Sequence, residues 1–399
     1  PDSDAVRDAA GTGQLFECVH VPGFTDVHKG MNGLAIADLN HDGLLDIVAT
    51  LTPPVARAED ELKTGNVERV PLRQAVDQLL VLINEGGFWF RPHKLEIRGS
   101  TLTTERFGQR TQIPNLADFN GDGHLDIFIT RSAAMAAGKM RSSVAGGGNT
   151  LLVSDGAWGK FCDLSDKLGA ANATAYNRQP SFGDVNKDGW LDIAIGCDNI
   201  GNAQGGLPHS RLYVFKPDGS AGSDPSVRLP GKYEDIGGTD LVPDFGGFYH
   251  DSARDKAGPD INLRDMDGDG DLDLIQSCHV DVREPLLPFS PGEYRQGLFC
   301  WKNLLAETGA LKFQKVTGNG FAAEACLRYN REKQLYEPVS AAKAPGLPYV
   351  AVADVDNDGL PDIFATGPSD VSWSPRVEYV GGRFWRNRGG FQFEEQTEA

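Results

Sequence analysis

The segment AIADLNHDGLLDIVAT, which runs from Ala35 to Thr50, decides the fold of this 399-residue chain. Four later segments repeat its pattern of acidic and apolar positions: NLADFNGDGHLDIFIT from Asn115, SFGDVNKDGWLDIAIG from Ser181, NLRDMDGDGDLDLIQS from Asn262 and AVADVDNDGLPDIFAT from Ala351. All five share the form D-x-[DN]-x-D-G-x-x-D-[IL]. One pattern recurring along a chain indicates a repeat architecture, in which similar units stack on one another.

Each motif predicts a strand, a tight loop and a second strand. Apolar residues precede the first Asp, an apolar run follows the last one, and the Gly in sixth position supplies the positive φ that a sharp loop needs. A second pattern follows each motif and predicts two more strands joined by a short turn. It reads QLLVLINEGGFWF from Gln78, NTLLVSDGAWGKF from Asn149, SRLYVFKPDG from Ser210, QGLFCWKNLLAETGALKF from Gln296 and GRFWRNRGGFQF from Gly382.

Four antiparallel strands repeated in tandem predict an all-β fold, a β-propeller of four-stranded antiparallel blades. We expect one domain over residues 1–399, with five recognisable blades at about 33–97, 113–166, 179–237, 260–317 and 349–398. An extra outer strand is predicted at 15–19, where Phe16-Glu-Cys-Val19 has the form of a fourth strand. It either closes the ring or ends a preceding blade, so six or seven blades are possible if some are missing or degenerate.

The five loops concentrate oxygen ligands in a way that points to a bound cation. Oxygens at alternate positions of a Gly-containing loop suit Ca²⁺, which takes six to eight of them, whereas Mg²⁺ favours fewer protein oxygens. We therefore predict about five Ca²⁺ sites. The predicted ligands are Asp38, Asn40, Asp42 and Asp46 in loop 1; Asp118, Asn120, Asp122 and Asp126 in loop 2; Asp184, Asn186, Asp188 and Asp192 in loop 3; Asp265, Asp267, Asp269 and Asp273 in loop 4; and Asp354, Asp356, Asp358 and Asp362 in loop 5.

Two other interpretations of the loops are weaker. An EF-hand needs a bidentate Glu in position 12 and flanking helices. Position 12 holds Ala49, Ile129, Ile195, Gln276 and Ala365. A metal-free Asx-Gly turn is the simplest alternative, but such a turn needs one Asp rather than three or four.

Charge and hydropathy bound the partners and the location. The net charge of −18 argues against nucleic acid as a partner, and no apolar run is long enough to insert into a membrane. The first Met is Met31, from which we expect an upstream segment to have been removed. Weak calcium loops also need a calcium-rich compartment. We therefore expect an extracellular or periplasmic protein.

The loops resemble those of FG-GAP/VCBS repeat proteins, which include the propeller of integrin α-subunits and many secreted bacterial proteins. Ser181-Phe182-Gly183-Asp184 keeps the Phe-Gly element, but the other repeats lack it and the integrin-style Gly-Ala-Pro is absent. The chain is thus similar to the bacterial VCBS branch. The resemblance implies an ion between the first two strands of each blade and a role in adhesion, ligand binding or scaffolding, with carbohydrate-active enzymes as a minority.

Long, irregular segments are predicted on the face opposite the loops, including 131–148 and 318–347. Long loops on a rigid scaffold often carry binding. Aromatic, Arg and His side chains there suit contact with a glycan or a peptide. The candidates are Tyr249, His250, Arg254, His279, Tyr329 and Trp373.

The predicted function is therefore a secreted, calcium-stabilised adhesion or recognition module with a protein or glycan ligand. Two alternatives stay open: a carbohydrate lyase or hydrolase that uses the same face, and a pure scaffold domain of a larger protein. No nucleophile elbow, P-loop, Rossmann fingerprint or zinc-protease motif occurs, and no catalytic residue is assigned. This favours a non-enzymatic role without deciding the matter.

Overall fold

A computed structural model describes part of the chain, and its β-strands account for nearly all of the regular structure there. Helical residues in the described part are confined to the 3₁₀ helix Ser165–Leu168 and the α-helix α1, Leu305–Thr308. The predicted outer strand at 15–19 lies outside it. The described ranges are 31–51, 79–87, 89–99, 110–132, 135–136, 139–140, 149–168, 176–198, 210–219, 227–242, 260–277, 298–316, 327–330, 335–338, 349–366 and 383–396.

Twenty of the strands in the described residues form five units, each with four strands paired antiparallel in chain order. Unit 1 contains β1 (Met31–Ala37), β2 (Asp46–Leu51), β3 (Leu79–Asn84) and β4 (Phe90–His93), and β5 (Glu96–Arg98) follows it. Unit 2 contains β6 (Arg110–Ala117), β7 (Asp126–Ser132), β10 (Thr150–Ser154) and β11 (Lys160–Asp163), with the hairpin of β8 (Met135–Ala136) and β9 (Lys139–Met140) between its second and third strands. Unit 3 contains β12 (Tyr176–Gly183), β13 (Asp192–Asp198), β14 (Arg211–Pro217) and β15 (Gly231–Asp235).

The last two units follow the same plan. Unit 4 contains β16 (Ile261–Arg264), β17 (Asp273–Ser277), β18 (Leu298–Asn303) and β19 (Phe313–Val316). A separate hairpin, β20 (Leu327–Asn330) with β21 (Leu335–Pro338), precedes unit 5. Unit 5 contains β22 (Tyr349–Ala353), β23 (Asp362–Thr366), β24 (Arg383–Asn387) and β25 (Phe393–Glu395). For the described residues, the prediction of an all-β fold made mostly of four-stranded antiparallel sheets is confirmed.

Successive units stack face to face through four apolar clusters. In β7, Ile127 packs in the cluster shared with unit 1, whereas the adjacent Phe128 packs in the cluster shared with unit 3. Further clusters join unit 3 to unit 4 and unit 4 to unit 5. Because successive side chains of a strand point to opposite faces, burial on both faces requires an apolar residue at every position. This explains why the runs after each final Asp are continuously apolar.

The two outermost faces of the stack are exposed, although they use the same repeat positions as the buried ones. The residue after the lead Asp is almost fully buried in units 1 to 4, but its unit 5 equivalent, Val355, is 62% exposed. Phe364 is 45% exposed, whereas the equivalent Phe128 is fully buried. On unit 1, Leu34 and Ile36 are exposed on the opposite face. Within the described residues, the stack does not close on itself.

Two pairings depart from separate antiparallel units. β5 does not continue unit 1 but pairs in parallel with β11, where Ile97 lies opposite Phe161. This covers the outer edge of unit 2, which would otherwise present unpaired backbone groups. A single pairing of Tyr176 with Ser132 joins units 2 and 3 into one nine-stranded sheet.

The segments predicted as wholly irregular also contain regular structure. The hairpin of β8 and β9 lies within 131–148, and the hairpin of β20 and β21 lies within 318–347. Tyr329, predicted on a loop, lies in β20 and pairs with Tyr336. The prediction of an irregular connection was wrong there, because short two-residue and four-residue pairings leave no clear apolar alternation in the sequence.

Candidate metal centres

Each acidic loop joins the first strand of a unit to the second and closes on one strand pair. The residue before the lead Asp pairs with the ninth-position Asp, as Ala37 does with Asp46 in loop 1. The same pair closes loops 2 to 5. Strands therefore flank every loop, and the helices that an EF-hand requires do not occur beside them.

The lead Asp folds the loop around its own carboxylate. In loop 1, Asp38 Oδ1 accepts the N–H of Asp42 at 3.1 Å, and Asp38 Oδ2 accepts the N–H of Gly43 at 2.9 Å. Loops 2, 3 and 5 repeat both bonds, and loop 4 repeats the second. Gly43 has a φ of 87°, a backbone conformation that glycine adopts without strain.

The third and fifth positions direct further oxygens into the loop. Asp42 Oδ1 accepts the N–H of Leu44 at 2.8 Å, and all five loops have this bond. In loops 1 to 3 the third-position Asn donates its amide to the fifth-position Asp, as Asn40 does to Asp42 at 2.9 Å. Loops 4 and 5 have Asp in the third position and cannot form this bond.

The ninth-position Asp is a buried bridge between the loop and the third strand. Asp192 is fully buried; its Oδ2 accepts the N–H of Val185 at 2.8 Å and its Oδ1 accepts the N–H of Phe215 at 2.8 Å. The equivalent Asp of every other loop forms the same two bonds. The motif predicted only a ligand role for this residue. The bridge was missed because its strand partner follows after a variable gap.

Burial raises the pKa of three of these bridging residues. It raises the pKa of Asp126 to about 8, that of Asp192 to about 7 and that of Asp273 to about 8, against the opposing effect of two backbone N–H donors on each carboxylate. Neighbouring loop carboxylates raise the pKa further. A bound cation would offset both effects by favouring the charged carboxylate.

The oxygens of loops 4 and 5 lie at distances suited to a calcium ion. In loop 4, oxygens of Asp265, Asp267 and Asp269 all lie within 4.8 Å of one another. In loop 5, the same holds for Asp354, Asp356 and Asp362. Ligands bound to one Ca²⁺ at about 2.3–2.6 Å stand no more than about 5 Å apart, and Ca²⁺ prefers oxygen donors. The donor sets therefore fit a hard divalent cation.

Two side-chain cations reach into these clusters from the third strand. Lys302 Nζ contacts Asp267 and lies 3.0 Å from Asp269 Oδ2. Arg386 Nη2 contacts Asp356 in loop 5. Neither residue is among those predicted from the sequence. One sequence feature could have identified them. In β18 and β24, a cationic residue directly precedes the Asn whose backbone N–H bonds to the ninth-position Asp, and only these two units have Asp in the third loop position.

Contacts join loop 1 to loop 2, loop 3 to loop 4 and loop 4 to loop 5, and every loop joins the first two strands of its unit, so the loops lie along one edge of the stack. The rings of His41 in loop 1 and His124 in loop 2 have centroids 5.3 Å apart. Lys187 Nζ in loop 3 lies 2.6 Å from Asp271 Oδ1 in loop 4. Each contact joins the fourth position of one loop to the seventh of the next. The fourth position of loop 4 likewise faces Leu360 of loop 5.

The six residues predicted for the opposite face are not brought together by the described structure. Tyr249, His250, Arg254, His279 and Trp373 lie outside the described residues. Only the backbone of the sixth, in the hairpin described above, is placed. A ligand site on that face stays a prediction.

Comparison with known proteins finds a family match for part of the chain. Residues 118–195 match the FG-GAP-like repeat, a span that begins at the lead Asp of loop 2 and includes loop 3. No curated protein matches the chain significantly. The chain thus contains an FG-GAP-like repeat, and its four-stranded antiparallel sheets are consistent with a β-propeller of that kind. Among the described residues, no helix has the length and apolar character to span a membrane.

Proposed function

We propose that residues 1–399 form a single calcium-stabilised FG-GAP β-propeller that binds a partner through the edge opposite its loops. The observation that carries the proposal is the recurrence of one loop geometry five times along one edge of the stack. In two of these loops, three carboxylates have oxygens within 4.8 Å of one another. FG-GAP repeats are often adhesion or recognition modules. The propeller, of the VCBS branch, is the architecture that would bury the remaining apolar faces of units 1 and 5.

Electrostatics supports a stabilising role for calcium. Each loop carries three or four carboxylates within nine residues, in a chain whose net charge is −18. The ninth-position Asp is also removed from water. Without a cation, the loop carboxylates repel one another and the buried one is poorly solvated. A ligand that binds only the folded state stabilises it by mass action.

The topology supports a binding role for the opposite edge. The second strand of each unit runs away from its loop, so the segment that joins it to the third strand leaves from the other edge. These segments include 52–78, 278–297 and 367–382, and they are much longer than a hairpin requires. They carry His279 and Trp373 of the predicted ligand set. A protein or glycan is the ligand class we propose, and an extracellular or periplasmic location would supply enough calcium.

The proposal is tested by thermal unfolding in calcium at about 1 mM and in excess EGTA. A glycan array is then run on the calcium-loaded protein. We expect EGTA to lower the melting temperature substantially and added Mg²⁺ to restore it poorly. An unchanged melting temperature in EGTA contradicts the calcium claim. A glycan hit supports recognition, and turnover of that glycan would redirect the proposal to a carbohydrate-active enzyme. A calcium-dependent melt without a glycan hit leaves a protein ligand or a scaffold role to be separated by partner capture.

A further inference from the structure

We propose that Lys302 and Arg386 are built-in cations of loops 4 and 5, so that the five loops fall into two classes. Loops 1 to 3 depend on metal alone to offset their carboxylates, whereas loops 4 and 5 are also held together by a side chain when metal is absent. This inference rests on the proposed calcium function. It concerns how the sites differ, a distinction that the shared motif does not reveal.

The first observation is the position of the two cations. Lys302 Nζ contacts Asp267, lies 3.0 Å from Asp269 Oδ2 and lies 2.6 Å from Glu307 Oε1, while its side chain is 22% exposed. Three carboxylates thus surround one ammonium group, and together they raise the pKa of Lys302 despite the opposing effect of its partial burial. Such a partly buried cluster is worth more than an isolated surface ion pair.

Arg386 occupies the equivalent place in unit 5. Its Nη2 contacts Asp356 and lies 3.5 Å from Asp358 Oδ2, and its side chain is 32% exposed. Asp356 also belongs to the trio of loop 5 carboxylates with oxygens within 4.8 Å of one another. The guanidinium therefore contacts a carboxylate that we predict to bind the ion.

The second observation is a matched difference between the units. In each unit, one backbone N–H of the third strand bonds to the ninth-position Asp. The residue before that donor is apolar and buried in the first three units, where it is Ile83, Val153 and Val214. The third loop position in those units is Asn. Units 4 and 5 replace the neutral pair with an Asp and a cation. At the predicted ligand positions, each additional carboxylate is therefore balanced by one additional positive charge.

The physical consequence is a different response to metal removal. A cation at contact distance offsets carboxylate repulsion whether or not calcium is present, but it also repels an incoming Ca²⁺. Loops 4 and 5 should thus lose less stability in EGTA than loops 1 to 3 and bind calcium more weakly than they would without the side chain. A purely structural surface pair would contribute equally in both conditions.

The test compares Arg386→Met with Arg388→Met, a control two residues along the chain whose guanidinium pairs with Glu394 at 2.7 Å and contacts no loop carboxylate. Melting temperatures are measured in calcium and in EGTA, and calcium binding is measured by titration calorimetry. We expect R386M to lower the melting temperature by several degrees more in EGTA than in calcium. We also expect it to raise the calcium affinity of one site by at least about fivefold, because the repulsion between two unit charges about 4 Å apart in water corresponds to a factor of that size in a binding constant. R388M should change neither the difference in melting temperature between the two buffers nor the calcium affinity.

The double variant Asp356→Asn with Arg386→Met recreates the chemistry of units 1 to 3 and serves if R386M alone fails to fold. Where both single variants fold, a double-mutant cycle gives the coupling free energy between Asp356 and Arg386. This coupling should be larger in EGTA than in calcium. Where only the double variant folds, it should be more sensitive to EGTA than the wild-type protein. Equal losses in both conditions, or unchanged calcium affinity, would overturn the inference. If calcium binds neither the variants nor the wild-type protein, the proposed calcium function fails instead.

Discussion

At the scale of single residues, the ninth-position Asp combines two tasks that the sequence shows as one. Its carboxylate lies in a motif that suits a metal ligand, and the ligand interpretation follows from spacing alone. Its second task, to anchor the third strand, depends on a partner that lies 23 residues away in unit 3 and 38 away in unit 1. Variable gaps of this kind hide a recurring contact from pattern analysis.

Replacing this residue tests the bridge directly. We expect Asp192→Asn to lower the free energy of unfolding by about 2–4 kcal/mol, because one amide N–H would face a backbone N–H and leave buried donors unpaired. The exposed Asp240→Asn is the matched control and should change it by less than about 0.5 kcal/mol. Urea unfolding monitored by fluorescence measures both. A loss confined to calcium-containing buffer would mean that the residue acts as a ligand and not as a bridge.

The raised pKa values of Asp126, Asp192 and Asp273 predict a pH dependence for the metal-free protein. A folded pKa near 7 to 8, above the unfolded value near 4, means that the folded state binds these protons more tightly. The associated stability is complete below about pH 4 and is lost as the pH rises through 7 to 8. We therefore expect the melting temperature in chelator to fall between pH 5 and pH 8, and calcium to flatten that slope. Parallel curves with and without calcium would contradict this.

At the scale of elements, the strands could be predicted from the sequence, but which strands pair with one another could not always be predicted. Apolar runs and glycine turns predicted the four strands of each unit, because both signals are local. The predicted first blade, 33–97, includes most of β5. Its pairing with β11 depends on residues more than sixty positions away, and no local signal specifies such a contact.

The β5 pairing can be broken at one backbone donor. The N–H of Glu96 donates to the carbonyl of Gly159 at 2.8 Å. Glu96→Pro removes that donor, and we expect it to destabilise units 1 and 2 by about 1–2 kcal/mol and to speed amide exchange in β11. Arg98→Ala, which removes a partly exposed ion pair with Asp155 and leaves the backbone donor of Glu96 in place, should cost about 0.5 kcal/mol. Faster exchange spread equally over unit 5 would show that the effect is not local.

At the scale of the whole molecule, the number of units is what the sequence left open. Motif counting gives five, and the described structure stacks those five without closing them. The face of unit 1 that carries Ile36 and the face of unit 5 that carries Phe364 correspond to surfaces that are buried at every internal seam. Exposed apolar faces of this kind call for a partner surface.

We expect a five-unit ring to bring these two faces together. In that case the double variant Ile36→Cys with Phe364→Cys should form a cross-link within one molecule under oxidation, and neither single variant should form it. Non-reducing electrophoresis and peptide mass mapping measure the product. Cross-links between molecules, or none at all, would instead indicate additional blades or another covering surface.

The seams have a further consequence for how such a chain arises. Successive units pack through the same two faces. The contacts of His41 with His124 and of Lys187 with Asp271 also join the same two loop positions. A DNA segment that encodes one unit could therefore be duplicated or deleted without the need to invent a new core. Each copy would then be free to diverge in the segment between its second and third strands while its packing surfaces stayed compatible. Tandem duplication followed by divergence at one edge thus accounts for both the regularity and the uneven length of the repeats.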